Sequence, residues 1–415
     1  MKNLNTKTIN KLLKLSLFLV IIELLFGSCG IYKTGLRDSE RNLLRDVEKF
    51  NRDYGSKGVT LKNRKIEWIE RFVCNGLILK NSLIKNVELQ KVDLKNTYIE
   101  NSRIENVYIR EMSDLSGSTF KNVRFKNLKI EGSDLSDSIF IDCEFINCEY
   151  IYAYLGKEYR NCKFNKIKEE EVTYRDIVVT DSIFTNCKII TAKYSNGKFE
   201  NVIFKNSEVR GAFGLRGKEG SKNIQFLNCI TGFGMFGNIE DILIQNSKPV
   251  NDADLSFEGD MKNIIIRDFP KAVYGFYFGK GTFSNISIIN CKYPCTKFYK
   301  VNLSNLLIKD SGVQHLKFEE SDVSGDNKID NSEIWGIFFG DSKVKDLKIE
   351  NCEFEDYVQI VFSELIRLRL SNNTYKGDVE YAIKGEMYID SDKFLLKSTP
   401  FPEDSRYLLK RKERK

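Results

Sequence analysis

A repeat of five residues constrains this chain more than any other feature. From Leu79 the repeat's central positions are Leu79, Ile84, Leu89, Leu94, Ile99, Ile104 and Ile109. After a slip of one residue they continue with Leu115, Phe120, Phe125, Ile130, Leu135, Phe140, Phe145 and Tyr150. All are apolar, in a chain that is only 41% hydrophobic. Two residues earlier stand small or β-branched side chains: Ser82, Val87, Val92, Thr97, Ser102, Val107, Ser118, Val123, Ser133, Ser138, Cys143 and Cys148. Two residues later come Asn81, Asn86, Asn96, Asn101, Asn106, Gly117, Asn122, Asn127, Gly132, Asp137, Asp142 and Asn147. A period of five matches neither the 3.6 of a helix nor the 2 of a plain strand. It fits a square coil. The large apolar residue fills the axis, the small one packs beside it, and Asn, Asp or Gly takes the tight corner. Four units close a coil of about 20 residues, and coils stack about 4.8 Å apart through ladder hydrogen bonds.

Small, polar, large apolar, polar, turn residue: over residues 77–150 this grammar resembles the pentapeptide-repeat family, and more loosely so afterwards. The resemblance implies an all-β, right-handed parallel β-helix. Beyond Tyr150 a corner signature keeps the coil period: Asn186-Cys187, Asn206-Ser207, Asn228-Cys229, Asn246-Ser247, Asp268-Phe269, Asn290-Cys291, Asp310-Ser311, Asn331-Ser332, Asn351-Cys352 and Asn372-Asn373. A second expected ladder is Phe236, Phe257, Phe278, Phe298, Phe318 and Phe338. The sequence thus predicts a solenoid over 74–390. Before it, residues 29–73 form a tether and a short N-terminal capping helix, begun at Ser39 and ending near Gly55, whose apolar face closes the first coil, with Trp68, Ile69 and Phe72 continuing that plug. After it, residues 391–415 form a C-terminal cap, stopped by Pro400 and Pro402, and a basic tail that leaves the body.

Residues 1–28 read as an export signal. Lys2, Lys7, Lys11 and Lys14 precede an apolar run from Leu15 to Phe26, which is shorter than the roughly 20 residues of a membrane span. Phe26-Gly27-Ser28-Cys29-Gly30 resembles the box of a bacterial lipoprotein, in the relaxed form seen in spirochaete lipoproteins. The resemblance implies cleavage before Cys29 and lipidation of its thiol, so that the chain is held at the cell envelope, at the outer membrane or cell surface rather than the inner membrane. Phe26 in place of leucine and Glu23 inside the run depart from the usual pattern.

The net charge of +7 is concentrated at the two ends, in residues 1–28 and 410–415, leaving 29–409 formally neutral. A neutral body is not the footprint of a specific nucleic-acid binder. Lys410–Lys415 is a candidate contact for an anionic polymer.

Cys143, Cys148, Cys162, Cys187, Cys229, Cys291 and Cys352 read as small buried residues at corners. The cysteines of the long ladder fall at least two rungs apart, too far to bridge. Cys291 and Cys295 remain a local pair that could bridge. His315 is the only histidine, which rules out a site with two imidazole ligands. It reads as a surface or corner residue. Glu320, Asp341 and Glu364, about one coil apart, are the best candidates for a stacked acid pair, with Asp252 and Asp254 a weaker one. The loop Asp322–Asp330 does not match a calcium loop. Aromatics cluster at 274–278 and 335–339, and their outward members could form a platform for sugars or an apolar patch.

Two functions remain open. One is a lipid-anchored scaffold or adhesin-like protein, with no catalytic residue, cofactor or metal, that presents an extended face to a protein or glycan. The other is a polysaccharide lyase or hydrolase.

Overall fold

The structure is a computed structural model. It describes residues 75–375, apart from 196, 216–219, 250–254, 271–274 and 362, together with strand segments 60–66, 72–73, 384–389 and 408–411. The export signal, Cys29, the capping helix, Trp68, Ile69, Asp252, Asp254, Tyr274, Pro400, Pro402 and Lys412–Lys415 lie outside the described residues.

Among the described residues there is no helix. The chain is an all-β, right-handed parallel β-helix, as the repeat predicts. It divides into two compact units, Met1–Tyr194 and Ser195–Lys415.

In the first unit every rung has four sides. Ile78–Lys80, Leu83–Gln90 and Val92–Asp93 make one rung. Ile78–Lys80 pairs in parallel with Tyr98–Glu100, and Leu83–Gln90 with Arg103–Arg110. Below it, Thr60–Ile66 pairs with Leu83–Leu89. All twelve expected corner residues from Asn81 to Asn147 have a positive φ, between 50° and 66°. This is the left-handed region that Asn, Asp and Gly enter at least cost. Asn side chains stack there as well: Asn147 Nδ2 donates to Asn127, Asn127 to Asn106 and Asn106 to Asn86, at 2.7–2.8 Å. The one-residue slip is accommodated by two successive left-handed residues, Glu111 and Met112, and the Met112 side chain is thrown out to solvent.

The axis of this unit is a stack of rings. Phe120 lies on Phe140 at 4.8 Å and Phe125 on Phe145 at 4.7 Å, with interplanar angles of 5° and 7°. Tyr159 and Phe164 extend the two stacks at 4.8 and 4.7 Å. Ile84, Leu89 and Leu94, in the first rungs, are only half-buried, and an apolar cavity of about 100 Å³ runs along the axis beside them. One inward position breaks the pattern. Glu169 stands where Tyr150 and Ile189 stand in neighbouring rungs, is 1% exposed, and accepts a 2.6 Å hydrogen bond from the Tyr174 hydroxyl.

In the second unit many strands lengthen, but left-handed residues still mark several corners. Beside the column from Asn206 to Asn372, Asn201, Asn223, Asp241, Asn263, Asn285 and Asn305 form a second, and Lys280, Lys300, Glu320 and Asp341 a third. All ten expected corner residues from Asn186 to Asn372, nine of them in this unit, have a positive φ, and each residue that follows is buried. The aromatic ladder needs correction at both ends. Met235 pairs with Phe257, then Phe278, Phe298, Phe318 and Phe339 follow, all buried. Phe236 and Phe338 point outward instead. They are one position out of step, and a one-residue shift moves a strand side chain to the opposite face.

At the far end, Leu408–Arg411 pairs in parallel with Glu386–Ile389. The start of the basic tail is therefore part of the ladder and does not leave the body.

Candidate binding face

The corner cysteines occupy the small-residue position and also donate hydrogen bonds. The Cys291 thiol donates to the carbonyls of Ile289 at 3.2 Å and Ile266 at 3.6 Å, and the Cys352 thiol to Glu350 at 3.2 Å and Ile329 at 3.7 Å. Serine does the same at Ser247, which donates to Gln245 and Phe226. A corner that accepts either Ser or Cys is thus selecting a short donor as well as a small buried side chain. Burial pushes the Cys148 and Cys229 thiols up to about 11 and those of Cys187, Cys291 and Cys352 up to about 12. Cys143 and Cys162 hold one corner on neighbouring rungs, since the Lys163 amide donates to the Cys143 carbonyl and Asn161 Nδ2 to Asp142. Cysteine neighbours in the first unit are therefore closer than two rungs. No disulfide joins Cys143 to Cys162 or Cys291 to Cys295.

The stacked acids are corner residues too. Glu320 and Asp341 have φ of 48° and 47° and are exposed, and Glu320 is ion-paired to Lys300 at 3.1 Å. Glu364 lies in strand Glu364–Ser371, pairing with Lys343, a column away from Glu320 and Asp341. The segment expected as a loop at 322–330 is two ladder strands, Asp322–Ser324 and Asn327–Asp330; Asp326, between them, pairs with Lys348 at 2.9 Å, and Asp330 with Lys328 at 3.3 Å. His315 stacks between Cys295 and Gly336. No group of three His, Cys, Asp or Glu among the described residues could hold a metal ion, and no described helix is long and apolar enough to cross a membrane.

The second unit carries a surface of a different kind. On one outer flat, consecutive rungs place Tyr277, Lys297, Lys317 and Phe338 in one register column, with Gly279, Tyr299, Glu319 and Gly340 in the column beside it. Each ring in the first column lies over a glycine. A Cβ on Gly279 would meet the Tyr277 ring at 2.6 Å, and one on Gly340 the Phe338 ring at 2.6 Å. Any side chain at those glycines would force the ring upright. With glycine the ring lies down on the backbone and turns its face to solvent. Phe236 lies over Gly234 in the same way, and Trp335, 43% exposed, stands on the rung of Phe338. The sequence points to the clusters 274–278 and 335–339 but not to their outward members; the structure places Tyr277 and Trp335 outward, and Phe338 with them, against its expected place in the inner ladder. The signal for their flat orientation was the aromatic-x-glycine spacing of Tyr277-Phe278-Gly279 and Phe338-Phe339-Gly340.

Beside this flat runs a crease. Its floor is a column of glycines, Gly237, Gly259 and Gly281, packed so closely that a Cβ on Gly281 would meet the Gly259 carbonyl oxygen at 1.9 Å. Phe236, Glu258 and Lys280 line a hollow of about 290 Å³ there. An adjoining groove of about 570 Å³ carries Glu200, Lys222, Glu240 and Lys262 on successive rungs. These charges neutralise one another: Lys222 lies 2.9 Å from Glu200 and Lys262 2.7 Å from Glu240. The Lys222 ammonium holds the Glu200 carboxyl below its usual range.

No family model matches the chain, and no curated protein matches it. Among solved structures it is similar to QnrB1, a plasmid-mediated fluoroquinolone resistance protein, at 16% identity over 50% of this chain and 91% of that one, with a TM-score of 0.26. It is also similar to PfbA, a surface adhesin of Streptococcus pneumoniae, at 13% identity over 91% and 95% of the two chains, with a TM-score of 0.23. A third is HetL, a pentapeptide repeat protein of the cyanobacterium Nostoc, at 9% identity over 76% and 92%, with a TM-score of 0.15. These likenesses concern the fold alone.

Proposed function

We propose that the chain is an exported β-helix scaffold, lipid-anchored at Cys29 in a bacterial cell envelope, that presents the aromatic flat of its second unit to a partner. The observation that carries this reading is the glycine-backed placement of Tyr277 and Phe338. Each ring packs one face on the backbone and leaves the other available at the surface, which is what a binding surface supplies. A solenoid holds such a face rigid, so little conformational entropy is lost on binding. The protein is not an enzyme in this reading. Glu320 and Asp341 are accounted for as corner residues, and Glu320 already has a cationic partner.

The test has two arms. Cys29→Ala should abolish palmitate labelling and release the chain from the membrane fraction. The triple variant Tyr277→Ala, Trp335→Ala, Phe338→Ala should lose binding of the labelled chain to cell surfaces while its circular dichroism stays unchanged. Release of reducing ends from a glycan, abolished by Glu320→Gln or Asp341→Asn, would overturn the scaffold reading in favour of a lyase or hydrolase.

A further inference from the structure

We infer that the aromatic flat is a binding site for a linear anionic polysaccharide, a chain of uronic acids, lying along the stacking direction of the rungs. The inference rests on the reading that this face meets a partner and names that partner's chemistry.

The column Tyr277, Lys297, Lys317, Phe338 has a ring at each end and two cations between. The two rings are three rungs apart, about 14 Å at the spacing of stacked strands. An extended pyranose chain advances by nearly the same length per sugar as the β-helix does per rung. One sugar stacked on Tyr277 therefore brings the third sugar after it onto Phe338, with the two intervening sugars over Lys297 and Lys317. Rings lying flat on glycine offer the geometry that the C–H face of a pyranose needs. Upright rings would offer edges.

The charges favour an anionic chain over a neutral one. Lys297 and Lys317 are directly opposed on neighbouring rungs, an unfavourable juxtaposition of like charges. Lys297 is compensated by Glu319 at 2.7 Å, and its ammonium also lies 5.1 Å from the centre of the Tyr299 ring. Lys317 has no such partner among the described residues. A carboxylate carried by the ligand would supply the missing counter-ion. A protein strand is a poorer fit, because the rungs on both sides of each strand of this flat already pair with it and no free sheet edge is presented here.

The experiment is calorimetric titration of the full chain in detergent with oligogalacturonates of two to six sugars, with cellohexaose as the neutral counterpart. Affinity should rise in a step when the oligomer reaches four sugars, the length that spans both rings. Tyr277→Ala and Phe338→Ala should each weaken the longer oligomers by about tenfold, the order expected for one aromatic contact, and remove the step. Tyr277→Phe should keep it. Lys317→Gln alters only a surface side chain, so the fold is retained. It should weaken oligogalacturonate, flatten its salt dependence and leave cellohexaose unchanged. Affinity that is independent of length, or indifferent to Tyr277→Ala and Lys317→Gln, overturns the proposal. If no uronate binds while the triple aromatic variant still loses cell-surface binding, the anionic-glycan proposal falls and the scaffold reading stands.

Discussion

The outer flats of the two units differ far more than their interiors do. In the first unit the register column Glu88, Tyr108, Lys129, Glu149, Lys168 is dominated by charges that partner one another. Arg110 pairs with Glu88 at 2.7 Å, and Glu149 takes both Lys168 at 2.7 Å and Lys129 at 3.9 Å. Its one aromatic is covered: Lys129 sits 5.0 Å from the Tyr108 ring centre, and the Tyr108 hydroxyl donates to Glu131. Burial, reinforced by that carboxylate, pushes the Tyr108 hydroxyl up to about 12. On the second unit's flat, Tyr277 and Phe338 are half-buried, each ring packed against a glycine, and no cation among the described residues covers them. Both units use the same corners and the same ring stacking. The interior therefore specifies the coil, and the exterior is where the two units can diverge in function.

The largest effect should come from the shared interior. Phe125 is buried at the axis, stacked on Phe145 and edge-on to Phe120 and Phe140. Phe125→Asp buries a charge without a partner and should cost several kcal/mol, enough to abolish the cooperative β-sheet melting transition in circular dichroism. Tyr277→Asp, on the outer flat, should leave that transition in place. A folded Phe125→Asp chain would break the claim that rings at the axis specify the coil.

A moderate effect should come from the corners. Burial raises the Cys148, Cys187, Cys229, Cys291 and Cys352 thiols to about 11–12, against about 8.5 for an unfolded thiol. The folded state therefore keeps protons that the unfolded state releases. This contribution to stability is fully present below about pH 8.5 and is lost as pH rises toward 12. The melting temperature should fall between pH 8 and 10. The triple variant Cys229→Ser, Cys291→Ser, Cys352→Ser, whose hydroxyls do not titrate in that range, should flatten the fall. An identical pH slope in wild type and variant would mean that the corner thiols are not held protonated by burial.

The corners and the axis were legible in the sequence because each position there accepts few residue types. A left-handed φ selects Asn, Asp or Gly, and an axial position selects a large apolar residue, so both repeat visibly from Asn81 to Asn372. The outer flats tolerate many residues and carry no such period. Phe236 and Phe338 were placed inside because two adjacent phenylalanines, or Met235-Phe236, give no local signal of which one faces in; only the pairing of Met235 with Phe257 and of Phe318 with Phe339 decides it. Glu169 escaped notice for the opposite reason. A carboxylate at an inward position looks like a surface residue until Tyr174, five residues on, is seen to satisfy it. Glu320 and Asp341 repeat with the coil because both stand at a left-handed corner, a position that acids share with Asn.

The smallest effect sharpens the contrast between the flats. Glu149 bridges two lysines across three rungs of the first unit, yet all three side chains are about a third or more exposed to water. Its proximity raises the Lys168 ammonium above its usual range, but solvent screens the pair, and holding long side chains in place offsets part of the attraction. Glu149→Gln should therefore lower the melting temperature by no more than about 2 °C at low salt, and by nothing measurable at high salt, where exposed charges are screened. If this variant instead melted as far below wild type as an interior variant does, the first unit's flat would be structural. Its charge ladder would then contribute to specifying the coil, and the division between an interior that sets the fold and an exterior free to change would hold only for the second unit.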